Sequence, residues 1–163
     1  MGTQAVWDLL RRVSDPEIPV LSIVDLGIVR GVQFDGDACV ITITPTYSGC
    51  PAMDVISREV KTALHDEGID NVRVDMQLSP AWTTDWMTED GKRALASYGI
   101  APPSQKVVDI SSLKRRGVDE PVVACPLCHS ARTQLVSQFG STSCKALYKC
   151  LDCREPFDYF KSH

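Results

Sequence analysis

Two Cys-x2-Cys pairs constrain this chain more than any other feature. One is Cys125-Pro-Leu-Cys128 and the other Cys150-Leu-Asp-Cys153, with 21 residues between them. Pairs at this spacing place four thiolates tetrahedrally around one ion, each pair gripping it from a tight knuckle turn. A segment of about 40 residues buries too little apolar surface to fold unaided, so metal binding supplies folding free energy. Residues 122–163 are therefore expected to form a four-cysteine ribbon, with Cys125, Cys128, Cys150 and Cys153 as ligands and Zn(2+) as the default ion. Iron in a rubredoxin-like site is open to the same donors. Cys144, six residues before Cys150, is out of register with both knuckles and reads as a packed thiol.

Seven cysteines, an odd number, argue for metal ligation or reactive thiols rather than a disulfide framework. Asp8, Arg11 and Arg12 interrupt the first apolar stretch before a signal-peptide core can form. No stretch approaches the roughly 18 apolar residues of a membrane span. The expectation is a cytoplasmic protein without a membrane partner. Its net charge of −4 is uneven: residues 1–103 hold 8 Lys and Arg against 15 Asp and Glu, whereas residues 104–163 hold 9 against 6. The acidic body would repel a phosphate backbone, which argues against nucleic acid and for protein or metal partners.

Val6, Leu9, Leu10 and Val13 fall at i, i+3, i+4 and i+7, predicting a first helix over 3–13 that ends before Pro16 and Pro19. Residues 26–34 and 38–45 are rich in Val, Ile and Thr and meet at Asp35-Gly36-Asp37, as two antiparallel strands would. Helical spacing of Met53, Ile56, Val60, Ala63 and Leu64 predicts a second helix from Pro51 to about Glu67, stopped by Gly68. Val72, Val74, Met76 and Leu78 alternate with polar residues, as in a half-buried strand. A short helical region before Pro102-Pro103 completes the order, with Trp82 and Trp86 expected to pack its helix. The fold class is α+β: a two-layer domain over 1–103, a linker over 104–121 and the ribbon over 122–163.

One cysteine stands apart. Cys50, in Thr46-Tyr-Ser-Gly-Cys-Pro51, sits where a strand hands over to the second helix. Gly49 permits a sharp turn and Pro51 fixes the first helical turn, so the thiol faces unpaired N–H groups that favour thiolate, with Asp54 opposing. From the residues alone, packing and function are equally good readings of it. Cys39, inside a strand, is explained by burial. Glu17, between Pro16 and Ile18, and Asp25, before Leu26-Gly27, interrupt apolar surroundings. Either they bond loop amides, or they act as acids supporting Cys50.

Residues 15–29, Thr44 to Pro51 and Ser79 to Pro103 together resemble the SufT-like iron-sulfur cluster assembly domain family over about residues 3–103. Joined to the C-terminal ribbon, the whole chain is similar to the PaaD family of accessory proteins in bacterial phenylacetate degradation. The resemblance implies an iron-sulfur assembly-type fold and marks Cys50, the cysteine of the Gly-Cys-Pro motif, as the cluster-handling thiol. It further implies a non-enzymatic maturation factor that inserts or delivers an iron-sulfur cluster. The partners it implies are the phenylacetyl-CoA epoxidase components, especially the reductase, which carries flavin and a two-iron cluster. A single thiol cannot hold a cluster that ordinarily takes four. A transient site would draw on Cys50 of a homodimer, on a small thiol, or on the client. Two other classes compete with this expectation. One is a zinc-stabilised adaptor that binds the epoxidase components without touching iron. The other is a cysteine hydrolase or transferase, disfavoured because no His accompanies Cys50 in a motif.

Overall fold

The structure, a computed structural model, describes residues 2–47, 49–103 and 122–161. The linker expected over 104–121 lies outside the described residues. The chain divides into two compact units, one up to Ala94 and one from Leu95.

In the first unit, helix α1 (Thr3–Leu10) buries Val6, Leu9 and Leu10. It is shorter than the apolar spacing predicts because Arg12 and Val13 donate to Leu9 and Leu10, three residues back, and so tighten the last turn. Val13 is nevertheless buried beyond the helix end. Strands β1 (Val29–Asp35) and β2 (Ala38–Ile43) pair antiparallel, with Asp35 opposite Ala38 and Gly36 at φ +63° in the connection. Helix α2 (Ala52–His65) crosses to β3 (Val72–Met76), which runs parallel to β2. The sheet order is β1-β2-β3. The middle strand is the core: Cys39, Val40, Ile41 and Ile43 are all buried. α1 packs on α2 and β1, and α2 on β3, which gives the helix-on-sheet layering.

Two expectations need correction. The alternation through β3 predicts one covered apolar row, and Val72 and Val74 are half-buried, but Met76 is 52% and Leu78 67% exposed. Strand β3 lies at the sheet edge, so a neighbouring strand shields only one of its flanks. The tryptophans, expected on the last helix, precede it: Trp82 lies before a 3-10 turn (Thr84–Trp86) and Trp86 ends it, ahead of α3 (Glu89–Ser97). The Trp82 indole N–H donates to the Leu26 carbonyl at 3.0 Å, and the Arg30 guanidinium lies 3.6 Å from the centroid of Trp86. Gly27 makes this approach feasible. Its φ is +79°, and a Cβ there would lie 2.5 Å from the Trp86 carbonyl oxygen.

The second unit is a four-stranded sheet of order β4-β7-β6-β5, built from β4 (Ile100–Ala101), β5 (Thr133–Ser137), β6 (Lys145–Cys150) and β7 (Pro156–Phe160). β5, β6 and β7 form an antiparallel meander, whereas β4 runs parallel to β7. Ile100 and Ala101, read from sequence as the end of the first domain, thus supply a strand to the ribbon's sheet. Tyr148 stacks on Phe157 at 5.9 Å and meets Tyr159 edge-on at 5.5 Å, forming a small aromatic core with Val123 and Ala146.

Candidate metal centre and thiol site

The two knuckles have the same build. The residue after each second cysteine, His129 at φ +63° and Arg154 at φ +66°, takes the left-handed conformation that closes the turn. N–H groups two residues beyond a cysteine then point at its sulfur: Ser130 at Cys128, Asp152 at Cys150 and Glu155 at Cys153. Asp152 ties one knuckle to the other, accepting from the Ser130 hydroxyl and pairing with Arg132 at 2.5 Å.

The four sulfurs of Cys125, Cys128, Cys150 and Cys153 lie within 4.8 Å of one another, with Cys125–Cys153 at 3.7 Å and Cys128–Cys150 at 3.5 Å. A tetrahedral zinc site with bonds of about 2.3 Å requires sulfur separations of about 3.8 Å, so the donor set fits that ion. The thiol chemistry agrees. The Cys153 N–H draws the Cys150 thiol down to about 7. At Cys153 the Glu155 N–H also favours thiolate, but desolvation and the three neighbouring sulfurs push that thiol up to about 12. Full ionisation of the set therefore needs a cation at its centre, and a bound Zn(2+) would serve to hold the knuckles together. Cys144 is buried outside the cluster beside the Thr142 hydroxyl at 3.0 Å, and His129 is not part of it.

Cys50 lies just before α2. Gly49, at φ +76°, turns the chain so that the Cys50 N–H reaches the Tyr47 carbonyl at 3.3 Å, and Pro51, at φ −68°, leads into the helix. The half-buried sulfur accepts from the Ala52 N–H and the Tyr47 side chain, as a helix-start thiol should. The net effect differs from the thiolate expected at such a position. Burial holds the thiol above its ordinary value, and the negative charges of Glu17 and Asp15 add to it, outweighing the two donors.

Of the two acids singled out in the sequence, only Glu17 is among the charges acting on Cys50. Asp15, which sequence reasoning passed over, is buried and accepts from the N–H groups of Glu17 and Ile18, both at 2.9 Å. An acid before Pro16 with two amides following was the available signal, since such residues bond amides two and three positions on. Asp25 is engaged elsewhere: it accepts from the hydroxyls of Ser22 at 2.8 Å and Thr88 at 2.9 Å, with Arg11 at 3.7 Å. Tyr47 was also missed. Thr44, at the head of the loop to Cys50, buries a hydroxyl with no hydrogen-bond partner among the described residues.

A three-stranded sheet with helices, a half-buried thiol leading its second helix, and a four-thiol ribbon together define an iron-sulfur assembly-type domain carrying a zinc-ribbon module. Residues 3–75 match the model of the iron-sulfur cluster assembly protein family, and residues 110–161 that of the PaaD zinc beta ribbon domain. An Escherichia coli (strain K12) protein named as a "Putative 1,2-phenylacetyl-CoA epoxidase" subunit is 51% identical over 96% of this chain and 90% of its own length. An "Fe-S protein maturation auxiliary factor" of Porphyromonas gingivalis is 38% identical over 50% of this chain and 79% of its own. A crystal structure of a DUF59 domain from Bacillus anthracis superposes with a TM-score of 0.53 at 32% identity, covering 57% of this chain and 90% of that one. The chain belongs to the PaaD family, in which a SufT-like iron-sulfur assembly domain precedes a zinc ribbon. No helix among the described residues is long and apolar enough to cross a membrane.

Proposed function

We propose that this protein is a cytoplasmic, non-enzymatic factor that hands iron-sulfur clusters to the phenylacetyl-CoA epoxidase system, with the flavin- and cluster-bearing reductase as its client. The observation that carries this reading is the Cys50 thiol itself: half-buried, at the start of α2, with Glu17 and Asp15 supplying negative charge around it. Such surroundings keep the thiol protonated at rest and attract a cation, so iron, arriving as cargo, displaces the proton. One thiol completes no cluster site, and the remaining ligands come from a second copy of the chain, a small thiol or the client. Incomplete ligation suits a donor that must release what it carries. Asp15 positions the Glu17 backbone, and the ribbon ligands Cys125, Cys128, Cys150 and Cys153 hold the second unit folded.

The test is anaerobic transfer. Apo-reductase is incubated with iron- and sulfide-treated protein, wild type or Cys50→Ala, and the reductase's own cluster absorbance is followed. Gain with wild type and none with Cys50→Ala supports the reading; equal gain with both defeats it.

The adaptor reading retains one observation in its favour. Leu127 and Leu151, one on each knuckle, are 56% and 46% exposed, as in a docking tip. In that case Cys50→Ala binds and supports the client normally, whereas loss of Cys125 abolishes both.

A further inference from the structure

Strand β3 ends the first sheet, and no strand among the described residues covers its outer flank. The Asn71 carbonyl accepts from Cys39 and the Gln77 N–H donates to Ile43, so the odd-numbered residues from 71 to 77 bond β2. In a parallel ladder the alternate residues turn their N–H and C=O groups the other way. Val72, Val74 and Met76 therefore direct theirs outward, where no further strand pairs among the described residues. An open edge of this kind is a template for another strand.

The sequence of that edge, Val72-Arg-Val-Asp-Met76, is complementary to itself when reversed. We propose that β3 pairs antiparallel with β3 of a second copy across a two-fold axis at Val74, joining the two three-stranded sheets into one of six strands. Val74 then faces its own copy and Val72 faces Met76, all as hydrogen-bonded pairs that use the outward groups. Arg73 faces Asp75 at the intervening positions, where opposed side chains stand closest. Within one chain the same two groups already pair, Arg73 Nε lying 3.1 Å from Asp75, with Asp35 at 3.8 Å from the guanidinium. Both are about half exposed, so exchange into a four-charge cluster across the axis requires little rearrangement.

Charge also fixes the register. A slip of two residues sets Arg73 against Arg73 in one direction and Asp75 against Asp75 in the other. A slip of one turns bonding groups away from each other and reverses the faces. Shape agrees with the pairing. Lys61, Thr62 and His65 of α2 line a groove of about 330 Å³ with Asp70 and Val72. Opposite Val72, the exposed Met76 of the copy points to this same side of the sheet and would enter the groove. The pairing thus gives Met76 an apolar contact, and it stands whether or not Cys50 handles iron.

Sedimentation of the full chain with reductant present, over a concentration series, tests this. Wild type should associate reversibly to twice the 17.9 kDa of one chain. Arg73→Asp sets like charges together twice and should weaken association roughly tenfold or more. Arg73→Asp combined with Asp75→Arg sets opposite charges together again and should restore it. A wild type that stays monomeric overturns the proposal. So does a dimer indifferent to Arg73→Asp, or a reversed pair that fails to recover association.

Discussion

At the scale of single residues, the thiol of Cys50 and its neighbours make the sharpest predictions. Its value lies above that of an ordinary thiol through burial, so iodoacetamide labelling of Cys50, mapped by mass spectrometry, should be slow near neutrality and rise later with pH than for a free thiol. Glu17→Gln removes one of the opposing charges and should speed labelling at neutral pH. The sign for stability follows from the same shift. A group that keeps its proton longer when folded stabilises the fold below the unfolded thiol value, and that contribution is lost as pH rises through the folded value. Asp25→Ala should behave differently. Losing an acceptor of the Ser22 and Thr88 hydroxyls should cost about 1–3 kcal/mol in denaturant unfolding and leave Cys50 labelling unchanged. Gly27→Ala, with φ +79° and Trp86 in the way, should cost about 2 kcal/mol or more. The Gly-Cys-Pro stretch was legible as a turn into a helix. Asp15 was not legible as its neighbour, because the fold, rather than local spacing, brings the Asp15 loop's charge to Cys50; Tyr47 is only three positions away, but spacing does not say that its side chain turns to the sulfur.

Among the elements, the ribbon is the clearest case of sequence specifying structure, since four thiols at fixed spacing leave few alternatives. The three tryptophans, Trp7, Trp82 and Trp86, precede the division at Ala94, while Tyr148 and Tyr159 lie in the ribbon. Chelation, or Cys150→Ser, should therefore release zinc and reduce the tyrosine near-ultraviolet signal to what Tyr47 of the first unit contributes, while leaving the tryptophan emission maximum in place. A simultaneous loss of both signals would mean that the first unit does not fold by itself. Helices α1 and α2 were legible from their apolar periods to within a few residues. Strand β3 was legible as a strand but not as an edge, because alternation records which residues share a face and not what covers it. The pairing of Ile100 and Ala101 with β7 was hidden for a related reason: two residues carry no period, and their partner lies more than 50 positions away.

For the whole molecule, a ribbon with four clustered thiols is joined to a domain that carries one half-buried thiol at a helix start, Cys50. On the function proposed above these parts have separable duties: Cys125, Cys128, Cys150 and Cys153 stabilise, whereas Cys50 exchanges. The most direct measurement is the iron content of the epoxidase reductase purified anaerobically after co-expression with wild type, with Cys50→Ala, or with no accessory chain, each accessory chain being expressed to the same level. Full cluster content with wild type and an equal deficit in the other two is the expected result. Equal iron per reductase in all three would contradict a role for Cys50 in cluster transfer.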